Sequence, residues 1–192
     1  MPSNIEIKAI LRNRAAAEAI AARLCESGHE IIRQEDFFFC SNRARLKLRV
    51  LGPDRGELIR YERSDVPHAR RSRYLIARTA DPQILLDILI QTLGRAGVVK
   101  KTRALYRVGQ TRIHIDEVEG LGDFLELEVV LRPGQSDGDG KHVAEALLSD
   151  FGIDRQQLVA GAYVDLLTER GVLSESEPSC DAPPVADSES ND

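Results

Sequence analysis

The sequence predicts an α+β fold, an antiparallel sheet with amphipathic helices laid over it. Three observations carry this. At least seven segments alternate apolar and polar residues with period two, as half-buried strands do. A few others show helical spacing and end at glycine. The links between the last strands, at Gly109-Gln110 and Gly120-Leu121-Gly122, are too short for anything but antiparallel hairpins.

The first strand, 4–8, sets Asn4, Glu6 and Lys8 on one face and Ile5 and Ile7 on the other. An Ala-rich helix over 14–26 is stopped by Gly28. Phe37 to Phe39 read as core and rim packing. The strand at 43–50 separates Arg43, Arg45, Lys47 and Arg49 from Ala44, Leu46, Leu48 and Val50. Strands at 58–63 and 73–78 flank a polar turn at 65–71, where Arg70 and Arg71 are expected in solvent. A helix over 82–93 starts at Asp81-Pro82, repeats Ile84, Leu85, Ile88 and Leu89, and stops at Gly94. Strands at 98–108, 112–118 and 124–131 follow, the last setting Glu126 and Glu128 opposite Leu125, Leu127 and Val129. A helix from about 141 to 151 closes at Gly152, and a short one spans 162–168.

The chain has 192 residues and a formal net charge of −5. No run of apolar residues is long enough to span a membrane, and the N-terminus has no signal-peptide core. Cys25, Cys40 and Cys180 are scattered and read as free thiols of a cytoplasmic protein. His29, His68, His114 and His142 show no ligand spacing, so each is expected to be structural or solvated. Residues 174–192 hold six acids, no Lys or Arg and three prolines, the composition of a disordered acidic tail. Without it, 25 acids face 26 bases. The domain at 1–173 is therefore near neutral, and the net charge does not by itself exclude an anionic partner.

The charges are sorted along the chain. Residues 43–49 carry four cations and no acid. Residues 98–112 carry Lys100, Lys101, Arg103, Arg107 and Arg112 without an acid. Residues 113–131 carry six acids and no Lys or Arg. Solvated sheet faces usually mix signs, because like charges side by side repel. Either these faces meet bulk water, or the sheet curls and turns them toward a ligand. A row of cations suits a polyanion such as phosphate. Acids at Glu6, Asp116, Glu126 and Glu128 suit a hard divalent cation, Mg2+ or Mn2+. Nucleic acid is the weaker reading, because few aromatics accompany the cations.

The order of motifs resembles the CYTH family, also called triphosphate tunnel metalloenzymes. It comprises the first strand Asn4-Ile5-Glu6-Ile7-Lys8, the Lys101-x-Arg103 strand, and Asp116-Glu-Val-Glu-Gly-Leu-Gly leading into the Glu126-x-Glu128 strand. The likeness runs from about residue 4 to 167. It implies an eight-stranded antiparallel β-barrel, a triphosphate tunnel with flanking helices and charged residues pointing inward. By resemblance, Lys8, Lys47, Arg49, Arg63, Arg73, Lys101 and Arg103 would hold a triphosphate. Glu6, Asp116, Glu126 and Glu128 would hold Mg2+ or Mn2+, and Glu6, Lys8 and Lys101 would act in catalysis. Tyr163 and Asp165 resemble a C-terminal element packed near the tunnel mouth. Asn4 stands where the family motif has its first acid, which would weaken one metal site.

The resemblance implies a small-molecule triphosphate as partner, a class IV adenylate cyclase-like or triphosphatase activity, and a homodimer as an option. If a ribose hydroxyl attacks the α-phosphate, ATP gives cyclic AMP and pyrophosphate. If water attacks, the chain is a hydrolase. A non-catalytic nucleotide or polyphosphate binder is the alternative.

Overall fold

A computed structural model describes residues 3–25, 27–41 and 44–173. The expectations for the acidic tail, for Arg43 and for the end of the first helix at Glu26 fall outside the described residues.

Strand β1 (Ser3–Ile10) is followed by α1 (Arg14–Leu24), β2 (His29–Phe39), β3 (Arg45–Gly52), β4 (Arg55–Arg63) and β5 (Arg70–Thr79). Helix α2 (Pro82–Leu93) leads to β6 (Arg95–Val108), β7 (Thr111–Val118) and β8 (Gly122–Val130). Helix α3 (Asp137–Asp150), a 3-10 turn at Arg155–Gln157 and α4 (Tyr163–Glu169) complete the chain. The strands close into an antiparallel barrel in the order β1-β5-β4-β3-β2-β6-β7-β8. The expected helices over 82–93 and near 163–169 are present, and α3 begins several residues earlier than expected.

Local chemistry sets the helix ends. Asn13 Oδ1 accepts from the Ala16 N–H at 3.0 Å and starts α1. Pro82 opens α2, and Gly94, at φ +73°, ends it. Helix α3 starts in a reciprocal capping box between Ser136 and Asp139. Its glycines at 138 and 140 hide this start from a propensity reading.

The barrel is inverted relative to an ordinary one. Outward residues such as Ile5, Ile113, Ile115, Leu125, Leu127 and Val129 are fully or almost fully buried under α1 and α3. Each buried aliphatic contributes about 1.5–3 kcal/mol. A second outer layer packs α2, through Leu86, on Phe39 and Leu48. Phe38 packs in a third cluster with α4, so Phe37 to Phe39 serve packing as expected. The lumen is left for polar side chains.

Helix α4 is different, because it packs on lumen-facing residues. Tyr163, Val164 and Leu167 cluster with Phe38, Val99, Val118 and Phe124 and plug one end of the barrel. Gly97 permits this: a Cβ there would lie 2.7 Å from Val164 and 2.9 Å from Leu173.

Strand β2 is missing from the sequence expectation. Its two faces, Glu30, Ile32, Gln34, Asp36 and Phe38 against Ile31, Arg33, Glu35 and Phe37, each mix apolar and charged residues, so no period-two contrast shows. Cys25 is a buried free thiol. Cys40 is disulfide-bonded, which corrects the expectation of a free thiol there. Among the described residues no helix is long and apolar enough to cross a membrane.

Helix α3 reaches β1 through Gly140, where a Cβ would lie 2.5 Å from Ile5 Cγ1 and 2.8 Å from Leu131 Cδ2. Gly140→Ala is expected to lose about 1–3 kcal/mol to overpacking, despite the roughly 1 kcal/mol gain in helix propensity. Urea unfolding of the two proteins measures the difference.

Candidate functional site

Alternation on eight closed strands delivers the site. Even-numbered residues of β1, β2, β5, β7 and β8 and odd-numbered residues of β3, β4 and β6 face a lumen of about 740 Å³. The charge sorting seen in the sequence is therefore a property of the interior. Cross-strand register sets Lys8 beside Glu126 and Glu6 beside Glu128. It also sets His114 beside Glu126, and Arg112 beside Glu128.

Two buried carboxylates organise the cations. Asp116 is fully buried. It accepts from Lys101 Nζ at 2.8 Å and from Arg103 Nε and Nη2, each at 2.6 Å. The Tyr163 hydroxyl donates to it at 3.1 Å. Burial opposes its charge, but Arg103 and Lys101 hold its pKa well below the carboxylate range. Asp36 does the same on β2, at the other side of β6. It accepts from Lys47 Nζ at 2.8 Å and Arg49 Nε at 2.9 Å. Burial also opposes the Asp36 charge, yet Arg49 and Lys47 keep its pKa far below the usual value.

Lysine pKa values move the other way. Burial lowers Lys47 to about 8 against the pull of Asp36. Burial also lowers Lys8 to about 8, opposed by Glu126. Lys8 Nζ donates to the Gly161 carbonyl at 3.2 Å and lies 3.9 Å from the Tyr163 ring centroid. Lys101 Nζ lies 4.7 Å from the same ring. Tyr163 is thus both core and site, a tyrosine face laid across two lysines. Asp165 caps α4 by accepting from the Ala162 N–H at 2.8 Å and also accepts from Arg45 at 2.9 Å.

The acids divide into two sets. Glu6 accepts from Arg70 at 3.2 Å and forms an ion pair with Arg63 at 3.2 Å, and burial with the nearby Glu126 raises its pKa. Glu126 and Glu128 are also buried, but cations outweigh that penalty. Lys8, His114 and Arg103 lower Glu126, and His114 and Arg112 lower Glu128. One ligand atom each from His114, Glu126 and Glu128 lies within 4.8 Å of the others. Burial, then the Arg103 charge, lowers the His114 pKa from its ordinary value. A buried imidazole beside two carboxylates is a donor set that fits a divalent cation.

Glu6, Lys8, Lys47, Arg49, Arg63, Lys101, Arg103, Glu126 and Glu128 all line the lumen. Four expectations are corrected. Arg73 is exposed on the outer face, since Ser72 and Tyr74 take the inward positions of β5. Asp116 lies outside the His114 group, and its oxygens are occupied by Lys101, Arg103 and Tyr163, which leaves it a poor metal ligand. Arg70 is buried on Glu6 rather than solvated, because β5 begins there. His114, expected to be structural or solvated, sits in the only His/Cys/Asp/Glu group of this kind among the described residues. The sequence shows no ligand spacing because a hairpin brings 114 to 126 and 128. Asp36 was missed with its strand. The single usable signal was an acid opposite a Lys-x-Arg strand.

Residues 3–163 match the profile of the CYTH domain. No curated protein matches the chain. Among solved structures it is similar to the PH1012 protein of Pyrococcus horikoshii OT3, with TM-score 0.75 and 22% identity over 85% of this chain and 98% of that one. It is similar to a provisionally assigned adenylate cyclase from Vibrio parahaemolyticus, with TM-score 0.69 and 20% identity over 86% and 97%. A Hippeastrum protein, provisionally an adenylyl cyclase and described as having a dominant triphosphatase activity, gives TM-score 0.60 and 20% identity over 88% and 96%. At these identities the structural likeness speaks for the fold, and the profile match for the family: the chain belongs to the CYTH domain family.

Proposed function

We propose that the chain binds an organic triphosphate in the lumen and cleaves one of its phosphoanhydride bonds with the help of a divalent cation. The observation that carries this is the inward convergence of Lys8, Lys47, Arg49, Arg63, Lys101 and Arg103 on one blind lumen that also holds Glu126, Glu128 and His114. Three phosphates carry charge enough to match that row, and a single carboxylate or sulfate does not.

The lining is not charged throughout. Ile32, Ile59, Tyr74, Ile76 and Leu105 also face the lumen, interleaved with charged side chains: Ile59 pairs with Lys47 and Ile32 with Arg103. Ile76 faces the lumen yet is 47% exposed. The proposed substrate lays its phosphates on the cations and its organic group on these apolar side chains.

The residues' own contributions follow from their anchors. Asp116 fixes Lys101 and Arg103, and Asp36 fixes Lys47 and Arg49, so these cations are aimed before substrate arrives and little reorganisation is needed as charge builds on the leaving group. Arg63 is held by Glu6 and by the Ala160 carbonyl at 3.0 Å. Glu126, Glu128 and His114 would hold the cation, Mg2+ or Mn2+ by resemblance. Such a cation supplies charge neutralisation at phosphate oxygens and activation of the attacking group. The α4 plug excludes water from one side.

Incubation of the purified chain with tripolyphosphate, ATP and thiamine triphosphate, each with Mg2+ or Mn2+, tests this when products are resolved. Orthophosphate identifies a hydrolase. Cyclic AMP with pyrophosphate identifies a cyclase. Binding without turnover leaves a polyphosphate-binding module, and absence of binding overturns the reading. Lys101→Ala is expected to weaken tripolyphosphate binding about tenfold or more, the loss of one charge-assisted contact set.

Asp116→Asn leaves Lys101 and Arg103 buried without their counter-charge. A loss of about 3–5 kcal/mol in denaturant unfolding is expected.

Lys47 titrates near 8 in the folded chain against an ordinary value of 10.5. The unfolded chain therefore holds that proton to higher pH, and this lysine's burial cost is relieved as pH rises from about 8 to 10.5. Polyanion affinity moves oppositely and falls as the buried ammonium deprotonates. Calorimetric titration of tripolyphosphate at pH 7 and pH 9 is expected to show a drop that is shallower in Lys47→Arg, whose charge persists.

A further inference from the structure

We infer that His114 Nδ1 is a ligand of the lumen's cation site, which makes it a mixed imidazole–carboxylate site that takes a first-row transition-metal dication such as Mn2+ in preference to Mg2+. The inference rests on the reading of the lumen as a metal-dependent phosphate cradle, and its readout needs no phosphate.

The first observation is an orphan. His114 is 3% exposed, and its Nδ1 has no hydrogen-bond partner among the described residues. A buried polar nitrogen left without a partner is destabilising unless something unseen satisfies it. The second is where that nitrogen points. Glu126 Oε2 lies 3.6 Å away and Glu128 Oε1 lies 4.0 Å away. A hydrogen bond to either would close to about 2.9 Å. Two donors that each sit about 2.1 Å from one ion are instead about 3–3.5 Å apart. The observed gaps are those of a ligand triangle that needs a shift of well under an ångström.

The third observation concerns the remaining donors. The arginine bonds to Glu126 and Glu128 fall on Oε2 of each: Arg103 on Glu126 at 2.8 Å, and Arg112 on Glu128 at 2.8 and 2.6 Å. Glu128 Oε1, the oxygen that faces the imidazole, carries no arginine bond, and Glu126 Oε2, which also faces it, takes a single arginine hydrogen bond and keeps a lone pair for an ion. Asp116 is saturated by cations and contributes none. On β1, Asn4 offers only an uncharged oxygen, and its Oδ1 is likewise buried and unpartnered. The site is therefore poorer in negative charge than an all-carboxylate one and richer by one nitrogen. Mg2+ depends on charged oxygens and takes imidazole reluctantly, whereas Mn2+ and the later dications accept it.

The test uses the full chain stripped of metal with a chelator. Mn2+ and Mg2+ are titrated separately by calorimetry, and the Mn2+ complex is examined by electron spin-echo envelope modulation, which detects a coordinated nitrogen. The wild-type chain is expected to bind Mn2+ about tenfold or more tightly than Mg2+ and to show nitrogen coupling. His114→Ala is expected to weaken Mn2+ about tenfold or more, to leave Mg2+ within about twofold, and to abolish the coupling. Equal weakening of both ions, no change in either, or a wild-type spectrum without nitrogen coupling overturns the inference. If His114→Ala does not fold, the wild-type spectrum decides alone. A chain that binds tripolyphosphate but shows no coupling fails here and leaves the proposed function standing. A chain that shows the coupling but binds no polyphosphate fails there only.

Discussion

Everything in this barrel follows from the need to keep charged side chains inside it. An unpaired charge taken out of water costs several kcal/mol even after relaxation, and a cluster of like charges costs more. Lys101, Arg103, Lys47 and Arg49 are tolerable in the lumen because Asp116 and Asp36 are buried with them. Neither aspartate is placed to meet a ligand first. Each spends its charge on a lysine and an arginine two residues apart on a single strand. The two anchors stand on β7 and β2, which flank β6, so the Lys101 strand is held between them. The apolar core is correspondingly displaced to the outside, where α1, α2 and α3 cover the strands.

That arrangement has a chemical consequence. The cations are neutralised, yet each has donor capacity left, since one carboxylate cannot satisfy a guanidinium and an ammonium together. A polyanion entering the lumen completes the set without first breaking it. The same logic separates the acids. Asp36 and Asp116 are consumed as anchors, Glu6 is shared by Arg63 and Arg70, and Glu126 and Glu128 keep an oxygen free. Three kinds of carboxylate that look alike in sequence thus differ by what surrounds them.

The sequence was most legible where one face of a strand was purely apolar. Strands β1, β3, β7 and β8 show this contrast, so their inward residues could be named. Strand β2 could not, because its lumen face mixes Ile32 and Phe38 with Gln34 and Asp36. Arg73 failed through register. Strand β5 begins at Arg70, and parity from that start turns Ser72 and Tyr74 inward and Arg73 outward. Among four arginines in nine residues, at 70, 71, 73 and 78, composition cannot decide which face each takes. His114 was hidden for a different reason. Its partners are twelve and fourteen residues away, a spacing that means nothing until β7 and β8 are paired. Helix α3 was clipped because a Ser136–Asp139 cap outweighed two glycines.

The α4 plug ties these points together. Tyr163 closes one end of the lumen and also donates to Asp116, so the group that blocks the exit fixes the acid that aims Lys101 and Arg103. A passage open at both ends would let the phosphate chain slide past its cations. A blind one sets how deep it goes, by contact with a tyrosine whose hydroxyl is already committed. For the proposed triphosphate, register along the lumen would then decide which phosphorus sits beside Glu126, Glu128 and His114. Because the cradle is fixed by two buried aspartates and the depth by one buried tyrosine, the proposed cleavage would take its choice of bond from how deep the ligand enters, not from a residue that touches the reacting atoms.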